Sequence, residues 1–266
     1  MKQDTAVIFY SPLFKHNAAP AFPPDASWLH IFLIDEQSAL QTGGLHSYQT
    51  ALSASDLAQA ESRKSERSKQ TYVISRVALK RLIAEALHLE EINAIRLGIE
   101  AGGKPYIVEP KSQLHFNVSH SQGRIAIGLS YDRKIGIDLE YIDKTRRYER
   151  IAEHYFHQTE RAWVNGDNAN SFYQLWTLKE ALVKAEGRGM AIPFNAFYFK
   201  NLQDYSFIPE PRTALDPHAW MFRHSIIENT YSLSVAYETL PDFSKPAASV
   251  WKYVHNKGFI PQPTAW

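Results

Sequence analysis

The order of apolar and polar positions picks out two segments first. Phe172, Leu175, Trp176, Leu182 and Val183 fall on one stripe at helical spacing, and Gly187 and Gly189 close it. This predicts a helix over about 171–186. Upstream, Ile135, Ile137 and Leu139 alternate with Gly136, Asp138 and Glu140, the mark of a strand. Leu114, Phe116 and Val118 alternate with His115, Asn117 and Ser119, and Ile125, Ile127 and Leu129 repeat the pattern. Residues 114–140 therefore read as three short strands, with the first apolar set inward and His115, Asn117 and Ser119 outward.

The rest of the chain is less regular. Strands are expected at 5–10, at Leu29 to Ile34 and at Ile95 to Ile99; Pro12, Pro20, Pro23 and Pro24 break the first connection. Residues 38–64 suggest short helices with a turn at Gly43-Gly44. An amphipathic helix follows at about 70–87, with Ile74, Val77, Ala78, Leu82 and Leu87 on its apolar side. Helices are also expected at 147–156 and 160–165, with Thr159 as an N-cap. Further strands fall at 197–199, 220–222 and 231–237, and the chain from Pro241 reads as a proline- and aromatic-punctuated tail. No internal sequence repeat is visible. The order implies an α+β fold of two similar-sized halves: 1–130, 131–240 carrying the acidic motifs, and a tail at 241–266.

Composition narrows the function. With 266 residues, 44% of them hydrophobic, the chain can bury a proper core. A formal charge of +1 argues against a nucleic-acid binder held by bulk charge. The absence of cysteine excludes disulfides, thiolate catalysis and cysteine-ligated zinc. There is no signal-peptide pattern and no run of membrane-spanning length, so a cytoplasmic protein with no membrane partner is expected.

Chemistry enters with the charged residues. Period two places Asp138 and Glu140 on one side of their strand, Cα atoms about 6.5–7 Å apart. Glu180 and Lys184 share a helix flank, and Lys179 sits inside the apolar stripe, where a cation needs a partner or a ligand. Alone, an acidic pair on a strand is an ordinary half-exposed face, and Glu180 with Lys184 an ordinary helical ion pair. Together the three carboxylates suit magnesium on a phosphate-bearing substrate. Ser119 and His120 do not suit a hydrolase, since adjacent strand residues point to opposite faces and no nucleophile elbow surrounds them. They serve better, with Lys104, as donors to phosphate oxygens.

Gly103-Lys104-Pro105, Phe116-Asn-Val-Ser-His-Ser121, Gly136-Ile-Asp-Leu-Glu140 and Trp176-Thr-Leu-Lys-Glu-Ala-Leu-Val-Lys184 occur in that order, with Phe156-His-Gln-Thr-Glu160 before the last. Over about residues 60–200 this set resembles the larger, monomeric, Sfp-type 4′-phosphopantetheinyl transferases. The resemblance implies two α+β halves related by a pseudo-twofold axis, with coenzyme A in the cleft between them. It implies transfer of the phosphopantetheine arm to a serine of an apo acyl or peptidyl carrier protein, releasing 3′,5′-adenosine bisphosphate. Asp138, Glu140 and Glu180 would bind Mg2+; Lys104, Ser119 and His120 would contact the nucleotide and its phosphates. Lys179 and Lys184 would line the pyrophosphate, and Arg76 with Arg63 or Lys64 would meet the 3′-phosphate. Glu180 or a metal-activated water would be the base, and Lys184 would stabilise the departing phosphate. An acidic carrier helix would dock beside residues 110–124. The alternatives are a coenzyme A-binding module without transfer, or another magnesium-dependent phosphotransferase or hydrolase; no G-x-x-x-x-G-K-[ST] loop supports the last.

Overall fold

The computed structural model describes residues 22–41, 44–164, 169–241, 245–255 and 257–262. The expected strand at 5–10, the prolines at 12 and 20, Gly43 and the final tryptophan lie outside them. In chain order the first elements are β1 (Trp28–Asp35), α1 (Glu36–Leu40), α2 (Gly44–Gln49), α3 (Ala54–Glu61), α4 (Glu66–Ala86), β2 (Arg96–Ile99), β3 (Pro105–Glu109), β4 (Leu114–Ser121) and β5 (Arg124–Tyr131). Then come β6 (Ile135–Tyr141), α5 (Tyr148–Tyr155), α6 (Gln158–Arg161), α7 (Ala169–Glu186), β7 (Phe197–Phe199), β8 (Phe207–Pro209), β9 (Trp220–Ile227), β10 (Tyr231–Glu238), β11 (Ala247–Val254) and β12 (Gly258–Gln262). The fold is mixed α+β.

One order of elements occurs twice: a strand, helices ending in a long one, a two-stranded hairpin, then an antiparallel pair. β1-β5-β4 and β6-β10-β9 also share one spatial order, with the last strand in the centre. β1 is buried along seven of its eight residues, which is why WLHIFLID reads as an almost unbroken apolar run. Its Leu29, Ile31 and Leu33 pack against Ile135, Ile137, Leu139, Leu233 and Val235 of the second sheet. Its Phe32 and Ile34 pack on the other side with Ile74, Val77 and Leu82 of α4. In the same way α7 covers the outer face of the second sheet, so the layers run helix, sheet, sheet, helix.

Two expectations change here. The stretch after Pro241 supplies β11 and β12, which extend the first sheet, β11 pairing parallel to β1. A proline- and aromatic-rich sequence shows little local periodicity, so its long-range pairing was not readable. The cap before α6 is His157 rather than Thr159: the His157 side chain accepts the Thr159 N–H, and Glu160 reaches back to the His157 N–H. Among the described residues no helix is long and apolar enough to cross a membrane.

Gly136 fixes how closely α7 approaches β6. A Cβ there would lie 2.0 Å from the Ala181 carbonyl oxygen and 2.3 Å from the Ala185 nitrogen, both backbone atoms that cannot swing aside. Gly136→Ala should therefore lower unfolding free energy by about 1–3 kcal/mol in urea titration; parental stability would show that the helix has room to move.

Candidate active site

Strand parity builds the centre of the site. Ile135, Ile137 and Leu139 take the inter-sheet core, which turns Gly136, Asp138 and Glu140 toward α7. From α7, Lys184 donates to Asp138 Oδ1 at 2.6 Å, Ser119 Oγ at 3.2 Å and the Ile137 carbonyl at 3.2 Å. The floor beneath the helix is polar: Thr177 Oγ1 lies 3.0 Å from Ser232 Oγ and 2.7 Å from Ser234 Oγ, and His224 Nε2 lies 3.0 Å from Ser232 Oγ. Burial without a charged partner brings His224 down to about 4, so the ring is neutral near pH 7.

The three carboxylates feel one another. Burial, and then the charge of Asp138, pushes both Glu140 and Glu180 above the usual carboxylate range. One lysine, Lys184, offsets this concentration of negative charge in part. Asp138 Oδ2 is buried without a hydrogen-bond partner. Among the described residues no three acidic or histidine side chains are grouped closely enough to hold a metal ion as they stand. The chemistry of the donor set nonetheless fits a hard divalent cation: three oxygen donors repel one another, and one oxygen is orphaned.

A cleft of about 590 Å3 lies beside this centre. One wall comes from Gly102, Gly103, Lys104, Pro105, Asn117 and Val118, and the other from α5, α7 and the chain after it, including Tyr155, Trp176, Glu180, Lys184 and Phe194. The second wall is aromatic, with Trp176 edge-on to Tyr155 at 5.8 Å and to Phe194 at 5.3 Å. The floor closes where the turn before β3 and the chain after α7 touch through glycines. A Cβ on Gly102 would sit 1.8 Å from the Gly187 carbonyl oxygen, and Gly187 itself has φ +85°.

The structure does not bring all the expected residues to this cleft. Lys104 lines it, but its ammonium donates to the carbonyls of Ile135 at 3.1 Å and Ala185 at 2.8 Å; burial brings its pKa down to about 8. Ser119 is buried and bonds Asp138 at 2.9 Å, while His120 is exposed at the end of β4. The expectation that Asn117 and Ser119 point outward is corrected, because β6 lies against that face of β4 and both are buried. Arg76 turns to α3, with Asp56 at 3.5 Å and the Tyr72 hydroxyl at 3.1 Å; Arg63 stacks over the same Tyr72 ring at 4.5 Å. Lys64 is exposed in the loop before α4.

Lys179 is the clearest correction. Expected beside a pyrophosphate, it is fully buried instead, 2.9 Å from Glu160 Oε2, and donates to the carbonyls of Phe194 at 2.9 Å and Phe197 at 2.7 Å. Glu160 also accepts the Phe199 N–H at 2.9 Å. An apolar helix face tolerates this cation because its partner is a carboxylate in the same interior. Burial still brings Lys179 down to about 8 and pushes Glu160 up. Sequence reasoning missed Glu160, although the His157–Glu160 capping pattern marks it as fixed in place. It also missed Asn117 and Ser121, whose signal is the polar face they share with Ser119.

Comparison with known proteins adds the following. Residues 134–236 match the family model described as the 4′-phosphopantetheinyl transferase superfamily. The chain is 31% identical over 154 residues to 4′-phosphopantetheinyl transferase gsp of Aneurinibacillus migulanus, covering 54% of this chain and 62% of that one. It is 30% identical over 183 residues to 4′-phosphopantetheinyl transferase psf-1 of Bacillus pumilus, covering 66% and 72%. It is 33% identical over 133 residues to 4′-phosphopantetheinyl transferase Sfp of Bacillus subtilis strain 168, covering 48% and 57%. The first of these matches thus spans under two thirds of the relative's length.

Two measurements check the electrostatics. Lys179→Met leaves Glu160 charged and unpaired in the interior, and should cost about 3–5 kcal/mol in urea unfolding. The double variant Lys179→Met/Glu160→Leu should recover much of that loss; a single-variant cost below about 1 kcal/mol, as for exposed pairs, would contradict the burial. Glu180 carries the opposite sign of effect. Its raised folded-state pKa means that ionising it costs stability above that pKa, and the cost fades as pH falls through it. Without divalent cations, Glu180→Gln should be more stable than the parent by about 1 kcal/mol at pH 8. The gain should shrink as pH is lowered toward the ordinary glutamate value; a gain that grows on acidification would reverse the assignment.

Proposed function

Since the chain belongs to the 4′-phosphopantetheinyl transferase superfamily, we propose that it transfers the phosphopantetheine arm of coenzyme A to a serine hydroxyl of an apo carrier protein. The leaving product is 3′,5′-adenosine bisphosphate. One observation carries this reading: the Gly103-Lys104-Pro105 turn faces Glu180 and Lys184 across a single cleft, beside the paired carboxylates of β6. The repeated element order and strand order support a pseudo-twofold relation of two halves, with coenzyme A between them. Both halves come from one chain, so a monomer suffices, and the substrates place the reaction in the cytoplasm.

The residues divide the work by position. The turn at Gly103-Lys104-Pro105 holds the nucleotide end, with Lys104 fixed by two carbonyls from the other half. His120, with Arg63 or Lys64, is the candidate basic side for the 3′-phosphate, while Arg76 stays with Asp56 and Tyr72; desolvation, and then the nearby charge of Lys184, hold His120 below its ordinary pKa. Asp138, Glu140 and Glu180 are the candidate ligands of Mg2+, which when bound would offset the charge of the pyrophosphate. Lys184 moves no proton here; it places a positive charge where the departing phosphate becomes more negative. Glu180 lines the cleft, where it or a water activated beside it is the candidate to accept the serine proton.

The partner follows from charge. Lys144, Arg146, Arg147 and Arg150 are all exposed in the segment just after Glu140, next to exposed Tyr141 and Tyr155. These cations, interleaved with Asp143, Glu149 and Glu153, offer an acidic carrier helix a docking surface in addition to the 110–124 region expected from sequence. Intact-mass spectrometry of apo carrier proteins incubated with the protein, coenzyme A and Mg2+ tests the reading. A gain of one phosphopantetheine arm, abolished by EDTA and by Glu180→Gln, is the expected result. Coenzyme A consumed without any carrier would indicate a hydrolase, and coenzyme A bound without any gain would indicate a binding module.

A further inference from the structure

Ser121 closes β4, beside the carboxylates but with none of the roles considered so far. Its hydroxyl donates to Glu140 Oε2 at 2.9 Å and accepts the Tyr141 N–H at 3.1 Å. Ser119 repeats the arrangement one step earlier: it donates to Asp138 Oδ1 at 2.9 Å and accepts the Leu139 N–H at 3.2 Å. In both cases the serine takes the N–H of the residue after the carboxylate and gives its own proton to the carboxylate. A hydroxyl has one proton, and an accepted N–H sets its orientation, so that proton is aimed at the acid.

The two acids differ in how much they need this. Asp138 is also held by Lys184 at 2.6 Å, and its side chain is short. Glu140 has one more rotatable bond, and among the described residues Ser121 is the side chain that hydrogen-bonds its carboxylate. We propose that Ser121 is a positioning residue that fixes the Glu140 carboxylate for a divalent cation. It acts through Glu140 and touches no reacting atom. The inference rests on reading Asp138, Glu140 and Glu180 as the cation site. Ser121 is also the cleaner serine to remove, because the Tyr141 N–H sits at an exposed position where water can replace it.

The test is Mn2+ binding by calorimetry, with and without coenzyme A, on the parent, Ser121→Ala, Ser121→Thr and Glu140→Ala. Loss of an outer partner typically weakens metal binding 10–100-fold, so Ser121→Ala should raise the Mn2+ dissociation constant about tenfold. Ser121→Thr, which keeps the hydroxyl, should restore most of it. In turnover, Ser121→Ala should raise the half-saturating Mg2+ concentration far more than it lowers kcat at saturating metal. Parent-like Mn2+ affinity in Ser121→Ala, with Glu140→Ala impaired, would overturn the positioning role and leave the cation site standing. A parent that binds no Mn2+ under either condition would overturn both. Equal loss in the Ala and Thr variants would also overturn it, since it would trace the effect to something other than the hydroxyl.

Discussion

An edge strand presents a row of amide N–H groups that must find acceptors, and on β6 three of them find side chains. Asn117 Oδ1 accepts from Ile137, Ser119 from Leu139 and Ser121 from Tyr141, at 2.9, 3.2 and 3.1 Å. This seam joins the edge of one sheet to the edge of the other without a backbone ladder. A backbone ladder would carry no chemistry beyond pairing. A seam of hydroxyls and an amide can also reach sideways, and two of its three members grip the acids of β6. The register between the two sheets and the position of the carboxylates are therefore one constraint.

The same helix shows how partner choice sets the use of a charge. Lys179 and Lys184 both lie on α7, yet one is sealed with Glu160 among Phe194, Phe197 and Phe199, and the other reaches Asp138 beside the cleft. An ion pair with no exposed surface is a fixed strut, costly to break and of no use to a ligand. Lys184, half-buried and coupled to acids that repel one another, keeps part of its ammonium open beside the cleft.

Much of this was legible in residue order. Period two at Gly136 to Glu140 located β6 and put both acids on one face, and the stripe from Phe172 to Val183 located α7. Lys179 stood out as a cation inside an apolar face, which was correct as physics; the missing part was its carboxylate, supplied by a separate helix. Polar Asn117 and Ser119 looked solvent-facing because the strand that buries them, β6, lies beyond a whole intervening strand of the sequence. Local pattern reports faces and periods. It carries no information about which distant strand will lie against a face.

β11 adds a consequence of another kind. It pairs with β1 only after the chain has passed through the whole second sheet, so residues 134–236, the family-matched segment, lie in sequence between strands of the first sheet. During synthesis the inner unit holds all its strands while the outer one still has β1 uncovered on one side. The outer sheet is completed by the later residues, and β1 is an apolar strand whose open edge would invite pairing with another chain. The topology thus makes the first sheet depend on residues that follow the second: β1 has its full set of neighbours only when β11 is in place.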